Sequence, residues 1–203
     1  MSPRFQNPAR YLALVLVLTT SLAACSRTRV LVAPAIDLKP RSRIGLVTFT
    51  AQGAKGALAV LATQRFEEHL LRAQPGIEII ELGVIEGPVD AAVAQKLGDE
   101  RGLRSIITGN LVVSDVRPRV RITGGLRASA EATVSLAAKM LSAESGATLW
   151  TQSSQLRQTL GSISLLEGVA VFDAKDPQDA YGEMVDQLVW NLTYDFRSTW
   201  VRK

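Results

Sequence analysis

The chain has 203 residues, 47% hydrophobic and 21% charged, a globular composition that excludes both a disordered segment and a multi-span membrane protein. Its formal charge is +4, but two of its basic residues, Arg4 and Arg10, lie in an acid-free leader, so the remainder is near +2. With 5% aromatic residues it offers no basic–aromatic platform for nucleic acid, and one cysteine with one histidine excludes a disulfide framework and a thiolate or histidine metal cluster.

Residues 1–10 (MSPRFQNPAR) are polar and carry the two arginines, and residues 11–24 (YLALVLVLTTSLAA) are apolar and uncharged. A positive region followed by a short apolar run and small residues is the layout of a secretory signal peptide. A membrane-spanning helix needs about 20 apolar residues, and here Ser26-Arg27-Thr28-Arg29 ends the run early. The segment Leu22-Ala23-Ala24-Cys25 resembles the lipobox of bacterial lipoproteins. That resemblance implies removal of residues 1–24, a diacylglycerol thioether on Cys25 and acylation of the new amine. The small residues would admit the peptidase and the thiol would accept the lipid. A free cysteine behind an ordinary signal peptide is the plainer alternative. Ser26 in place of Asp after the cysteine implies, by resemblance to Gram-negative lipoproteins, transfer to the outer membrane with the folded part in the periplasm. Each buried methylene contributes about 0.8 kcal/mol, so two or three acyl chains make a lasting anchor.

Residues 25–42 read as a lipidated tether and 43–203 as one periplasmic α/β domain. Val30-Leu31-Val32 suits a short strand, but Pro34 and Pro40 argue against a long element. Arg43–Phe49 is a compact apolar run suited to a buried strand, followed by a turn over Thr50–Gly56. From Gly56 to Arg72 the pattern becomes helical, with Leu58, Leu61, Ala62, Phe66 and Leu70 on one stripe, and Pro75-Gly76 breaks it. Ile77–Leu82 predicts a second strand, Asp90–Arg101 a second helix ending at Gly102, and Leu103–Val113 a third strand interrupted near Gly109.

In the fourth strand Ala130, Ala132, Val134, Leu136, Ala138 and Met140 alternate with Glu131, Thr133, Ser135, Ala137 and Lys139. Ser142–Gly146 predicts a hairpin turn into a fifth strand over Ala147–Leu160, and 161–175 reads as irregular. Asp176-Pro177 opens the last helix, with Tyr181, Met184, Val185, Leu188, Leu192 and Phe196 on its stripe. The expected fold is α/β, a mixed sheet of about five strands with helices packed against it, in the order β-α-β-α-β-β-β-α.

Three stretches in this order, RIGLVTF with its helix and IEIIELG, then LGDERGLRSIITGNL, then ATVSLAAKMLSAESGATLW, together resemble one superfamily of periplasmic domains. Its members are the curli-secretion lipoprotein, the lipoprotein activator of penicillin-binding proteins and the N-terminal domain of the Tol-system propeller protein. The resemblance covers about residues 42–155 and implies a domain that works through protein contacts and is not an enzyme. Membrane-spanning hairpins are not expected. They need about 9–11 residues per strand with an apolar outer face, whereas Val112–Leu126 contains Asp115, Arg117, Arg119 and Arg121, and Ile163–Phe172 is short.

The remaining candidates are weighed by chemistry. Gly53, Lys55 and Gly56 lie between a strand and a helix but lack the spacing of a P-loop, so a connecting loop is expected. His69 has no nucleophile or orienting partner assigned and reads as a surface helix residue. Arg117, Arg119 and Arg121 fall on one side of an extended segment, where they would meet an acidic partner, lipid headgroups or peptidoglycan carboxylates, or simply form a solvated edge. The apolar stretch around Leu165 and Leu166 reads either as core cover or as a docking surface. Trp150, Trp190 and Trp200 read as packing residues. No cofactor or metal site is expected.

The function expected is a non-catalytic lipoprotein supporting envelope assembly or secretion, attached to the membrane through its lipid and contacting envelope proteins, with a homo-oligomer left open and no nucleic acid. The alternative is a periplasmic binding module for a small envelope ligand, a glycan or lipid fragment, which a deep pocket would favour. A hydrolase ranks third.

Overall fold

The computed structural model describes residues 29–41, 43–53, 57–114, 117–121, 126–166, 169–174 and 177–202. The chain divides into two units, one holding the ends up to Ala33 and from Ser198, the other running from Pro34 to Arg197.

The larger unit is built on a mixed sheet whose second strand from one edge is β2 (Ile44–Val47), with all four residues buried. It pairs in parallel with β4 (Ile79–Gly83) on one side and β5 (Ser105–Val113) on the other. Parallel neighbours need a crossover, and two helices supply them: α1 (Ala57–Ala73) between β2 and β4, and α2 (Ala91–Arg101) between β4 and β5. Beyond β5 the pairing turns antiparallel through β7 (Leu126–Ser142), β8 (Thr148–Leu166) and β9 (Val169–Ala174). Two short strands lie off this path, β3 (Thr50–Gln52) on β5 and β6 (Arg117–Arg121) on β7. The α/β mixed-sheet architecture is as expected, with more strands than the five read from the sequence.

Local chemistry explains the element ends. Asp90 caps α2 by accepting a hydrogen bond from the Val93 amide at 2.9 Å. Gly102, at φ 63°, closes the same helix in the left-handed region, its amide donating to the Gly98 carbonyl. The third helix, α3 (Pro177–Leu192), starts on the expected proline. Asp176, expected from the sequence to cap it, lies outside the described residues.

Helices α1 and α3 cover one face of the sheet. Phe66 and Leu70 of α1 and Val185, Leu188 and Leu192 of α3 pack on Leu46, Leu111, Leu136 and Met140, all essentially fully buried. An aromatic chain runs through this layer, with Phe66 5.3 Å from Phe49, 6.4 Å from Trp150, and Trp150 4.8 Å from Phe196. Trp150 also donates its indole N–H to Asp195 at 3.0 Å. Among the described residues the other face is covered at one end only, where a smaller cluster of Val89, Ala94, Leu103, Ile106, Leu141 and Ala143 packs α2 down.

Several expectations change. Thr50–Gln52, read as part of a turn, pairs with β5 as β3. β5 runs unbroken through Gly109, where a Cβ would stand 2.9 Å from three atoms of the Phe49 ring. The glycine makes room for an aromatic ring and leaves the strand whole. Residues 161–166 and 169–174, read as irregular, form the end of β8 and all of β9, joined in register from Gly161↔Ala174 to Leu166↔Val169. Gly161 and Ser162 break the apolar alternation there, so the pattern hid the strand.

The segment from Pro34 also packs. Leu38 is fully buried, and Gln74 at the end of α1 holds it in place. The Gln74 carboxamide accepts from the Leu38 amide at 2.7 Å and donates to the carbonyls of Ile36 at 2.6 Å and Phe196 at 3.0 Å.

The smaller unit is a two-stranded antiparallel ribbon of β1 (Arg29–Val32) and β10 (Thr199–Arg202), paired Arg29↔Arg202 through Val32↔Thr199. The expected strand at Val30–Val32 is present; β10 was not anticipated.

Candidate functional site

The alternation along β7 decides which side chains remain free. Its even positions from Ala132 to Met140 are buried under the helices, and its odd positions, Glu131, Thr133, Ser135, Ala137 and Lys139, stand on the opposite face. Residues opposite each other in a ladder share a face. The register therefore adds Thr151, Ser153, Gln155 and Arg157 from β8, and Thr108 and Asn110 from β5. All four β8 residues are exposed. Beyond the reach of α2 this is an open sheet face of small polar residues and cations.

β6 extends the same face. Arg117 lies opposite Glu131 in the register, Arg119 opposite Ser129 and Arg121 opposite Arg127. Arg119 Nε reaches Glu131 Oε2 at 3.4 Å, and Arg157 Nε donates to Thr133 Oγ1 at 3.4 Å. Arg117 and Arg119 are exposed. The three arginines expected on one side thus occupy alternate positions of a genuine edge strand, which β7 carries alongside Arg157 and Lys139. Sequence reading did not connect Lys139 and Arg157 with them, although the polar half of the β7 alternation was the signal.

A groove of about 220 Å³ lies on this face, lined by Thr50, Val89, Asn110, Lys139 and Thr151 among others. Thr50 Oγ1 donates to Asn110 Oδ1 at 3.0 Å, and Lys139 Nζ donates to the Val89 carbonyl at 2.9 Å. Ligand pockets typically enclose about 300–1,000 Å³ and are mostly apolar. This one is smaller, with polar side chains set among more apolar wall surface, and its ammonium already has a partner. Among the described residues no group of three or more His, Cys, Asp or Glu side chains is placed to hold a metal ion.

His69 corrects the sequence reading. It is 8% exposed, on the buried stripe of α1, because that stripe continues one turn beyond Phe66 to meet α3. Its ring stands edge-on to Trp190 at 5.7 Å, and Nε2 lies 4.0 Å from Asp186 Oδ1. Burial pushes its pKa below the ordinary imidazole value, outweighing the pull of Asp186.

Trp190 and Trp200 are exposed, contrary to the packing role expected of them, while Trp150 is buried. The Arg197 guanidinium sits 3.5 Å from the centroid of the Trp190 ring and donates to the Trp190 carbonyl. One face of that indole is therefore covered by its own chain and does not form an open ligand cage.

Leu22, Ala23, Ala24 and Cys25, as well as Lys55 and Gly56, lie outside the described residues. Leu165 and Leu166 end β8 opposite Ala170 and Val169 in the β9 ladder; their side chains are outside the described set.

No protein-family model matches the chain, and comparison with curated proteins gives no match. Solved structures are similar in outline. A PelC dodecamer from Paraburkholderia phytofirmans is 11% identical, with 85% of this chain and 98% of that chain covered and a TM-score of 0.48. Lipoprotein GNA1162 from Neisseria meningitidis is 13% identical, covering 75% and 98%, with a TM-score of 0.41. The LpoB C-terminal domain from Salmonella enterica is 10% identical, covering 69% and 92%, with a TM-score of 0.38. At such identity and score nothing of their roles transfers to this chain.

Proposed function

We propose that the chain is a non-catalytic lipoprotein, anchored through Cys25 to the outer membrane and facing the periplasm, that supports envelope assembly or secretion by binding a protein partner. The observation that carries the binding part is the open sheet face, where Arg117, Arg119 and Arg157 are exposed beside a row of Ser, Thr and Gln side chains. Guanidiniums on an otherwise small and flat surface suit an acidic partner, because they form paired hydrogen bonds to carboxylates. The anchor rests on the sequence around Cys25.

The test is a photo-crosslinking residue placed in living cells at Gln155 on this face, with Gln64 on the exposed side of α1 as the control. Discrete adducts to an envelope protein from position 155, lost on Arg117→Glu with Arg119→Glu, are the expected result. Equal patterns from both positions refute the reading.

The second reading, a module for a glycan or lipid fragment, rests on the groove where Thr50, Asn110 and Lys139 stand among apolar wall surface. It requires amide shifts at Asn110 and Lys139 on titration with a peptidoglycan fragment.

A further inference from the structure

The ribbon of β1 and β10 exposes more apolar surface than its size explains. Leu31 is 51% exposed and Trp200 65%, and the two lie directly opposite each other in the register, on one face of the ribbon. Arg29, exposed and two positions along β1 from Leu31, shares that face, and Arg202 is its partner in the register. Val30 and Val201, both exposed, form the reverse side. A two-stranded ribbon alone is marginally stable in water, so one with a Leu–Trp pair open to solvent gains by finding an apolar surface.

We infer that the Leu31–Trp200 face of this ribbon docks on the anionic surface of the bilayer that holds Cys25. The inference rests on the lipoprotein reading and adds a second point of attachment to it. Arg29 is four steps along the chain from Cys25, and an extended chain covers at most about 3.6 Å per step, so β1 starts within about 14 Å of the backbone of the lipidated cysteine. The polar layer of a bilayer is about 5–8 Å deep on each side, which keeps the ribbon within reach of it. Charge agrees with that location. In the sequence Arg27 precedes β1 and Arg29 opens it on the side of Cys25, and Arg202 and Lys203 follow Trp200. Tryptophan favours the membrane–water boundary, with its apolar ring inward and its N–H among the headgroups, and arginine reaches outward to phosphate along its aliphatic stem. The short link from anchor to ribbon makes docking intramolecular, so even weak affinity suffices. Docking would bring both ends of the folded chain to the membrane.

The experiment uses the full lipidated chain reconstituted in phosphatidylethanolamine–phosphatidylglycerol vesicles, with brominated phosphatidylglycerol as the quencher of tryptophan emission. Trp150 is buried, so the exposed indoles dominate the quenched signal. The expected result is that Trp200→Phe removes most of the quenching and Trp190→Phe leaves it in place. Arg29→Gln should lower the ratio of docked to undocked ribbon about five-fold, the effect of one cation near an anionic surface. Added salt should act in the same direction. Quenching unchanged by Trp200→Phe overturns the inference. So does burial of Trp200 that depends on protein concentration without bromolipid quenching, because a second copy then covers the ribbon. Mass analysis of the same sample reads the lipid on Cys25 separately. Lipid present without Trp200 quenching refutes the docking alone, and lipid absent refutes the anchor.

Discussion

Gln74 should be the most sensitive polar residue in the larger unit. Its carboxamide makes three hydrogen bonds to backbone groups of Ile36, Leu38 and Phe196, and Leu38 and Phe196 are fully buried. Gln74→Ala leaves one amide and two carbonyls without partners. An orphaned buried group costs about 1–3 kcal/mol, and Ile36 is only partly buried, so about 3 kcal/mol is a fair sum. For a chain of this size that lowers Tm by roughly 6–12 °C. Gln74→Glu sharpens the test, because it keeps shape and acceptor but turns an oxygen toward the carbonyls of Ile36 and Phe196. It should destabilise at neutral pH by at least as much as the alanine. Part should return near about pH 4, where the carboxyl protonates and regains a donor. Urea unfolding at both pH values reads the difference. A loss under about 0.5 kcal/mol for both variants, the range of an ordinary surface change, would refute the reasoning.

His69 gives a pH prediction. Its folded pKa is lowered by burial, against the pull of Asp186 and Glu68 and with the push of Arg72 and Arg197. The unfolded chain therefore takes up the proton first on acidification, and stability falls as pH drops below about 6.5, levelling once the folded form is also protonated. The urea midpoint should fall between about pH 7.5 and about pH 5.5, with a smaller drop in His69→Phe, which keeps the edge contact with Trp190; an identical drop in both counts against this account. Gly98→Ala should destabilise despite the helix-propensity gain of about 1 kcal/mol, because its Cβ would stand 2.6 Å from Ala143 Cβ and 3.0 Å from Ala143 O. Overpacking of that kind costs about 1–3 kcal/mol, and a raised Tm would show that α2 shifts freely. Arg119→Glu should leave stability within about 1 kcal/mol, since the pair with Glu131 is largely exposed on the arginine side, while removing crosslinks from the open face.

What the sequence made legible were the elements with unambiguous periods. The β7 alternation, the α3 stripe from Met184 to Leu192 and the second helix ending at Gly102 stand as read, while Phe196, read on the last helix, is buried in a 3-10 turn (Thr193–Phe196) beyond its end. The misses have physical causes. β9 and the end of β8 were hidden because Gly161 and Ser162 interrupt the apolar pattern, and only the pairing partner reveals them. His69 looked like surface because Glu67 and Glu68 precede it, yet it sits on the buried stripe of α1 with Phe66 and Leu70. The open face was legible only in pieces. Arg117 and Arg119 could be read from alternation within one strand, but their junction with Lys139 and Arg157 depends on a register between strands that no local pattern encodes. Gln74 gave no signal at all, because its three partners are backbone atoms distant in the chain.

The anchor at Cys25 underlies the proposed location, the contact with envelope partners and the docking of the ribbon. The most direct measurement is the mass of the N-terminal peptide from protein isolated in the outer-membrane fraction. The account predicts a chain beginning at Cys25 and carrying diacylglycerol on its sulfur, with both lipid and fraction lost in Cys25→Ala. A peptide with a free Cys25 thiol, or the same fractionation for wild type and variant, would contradict it.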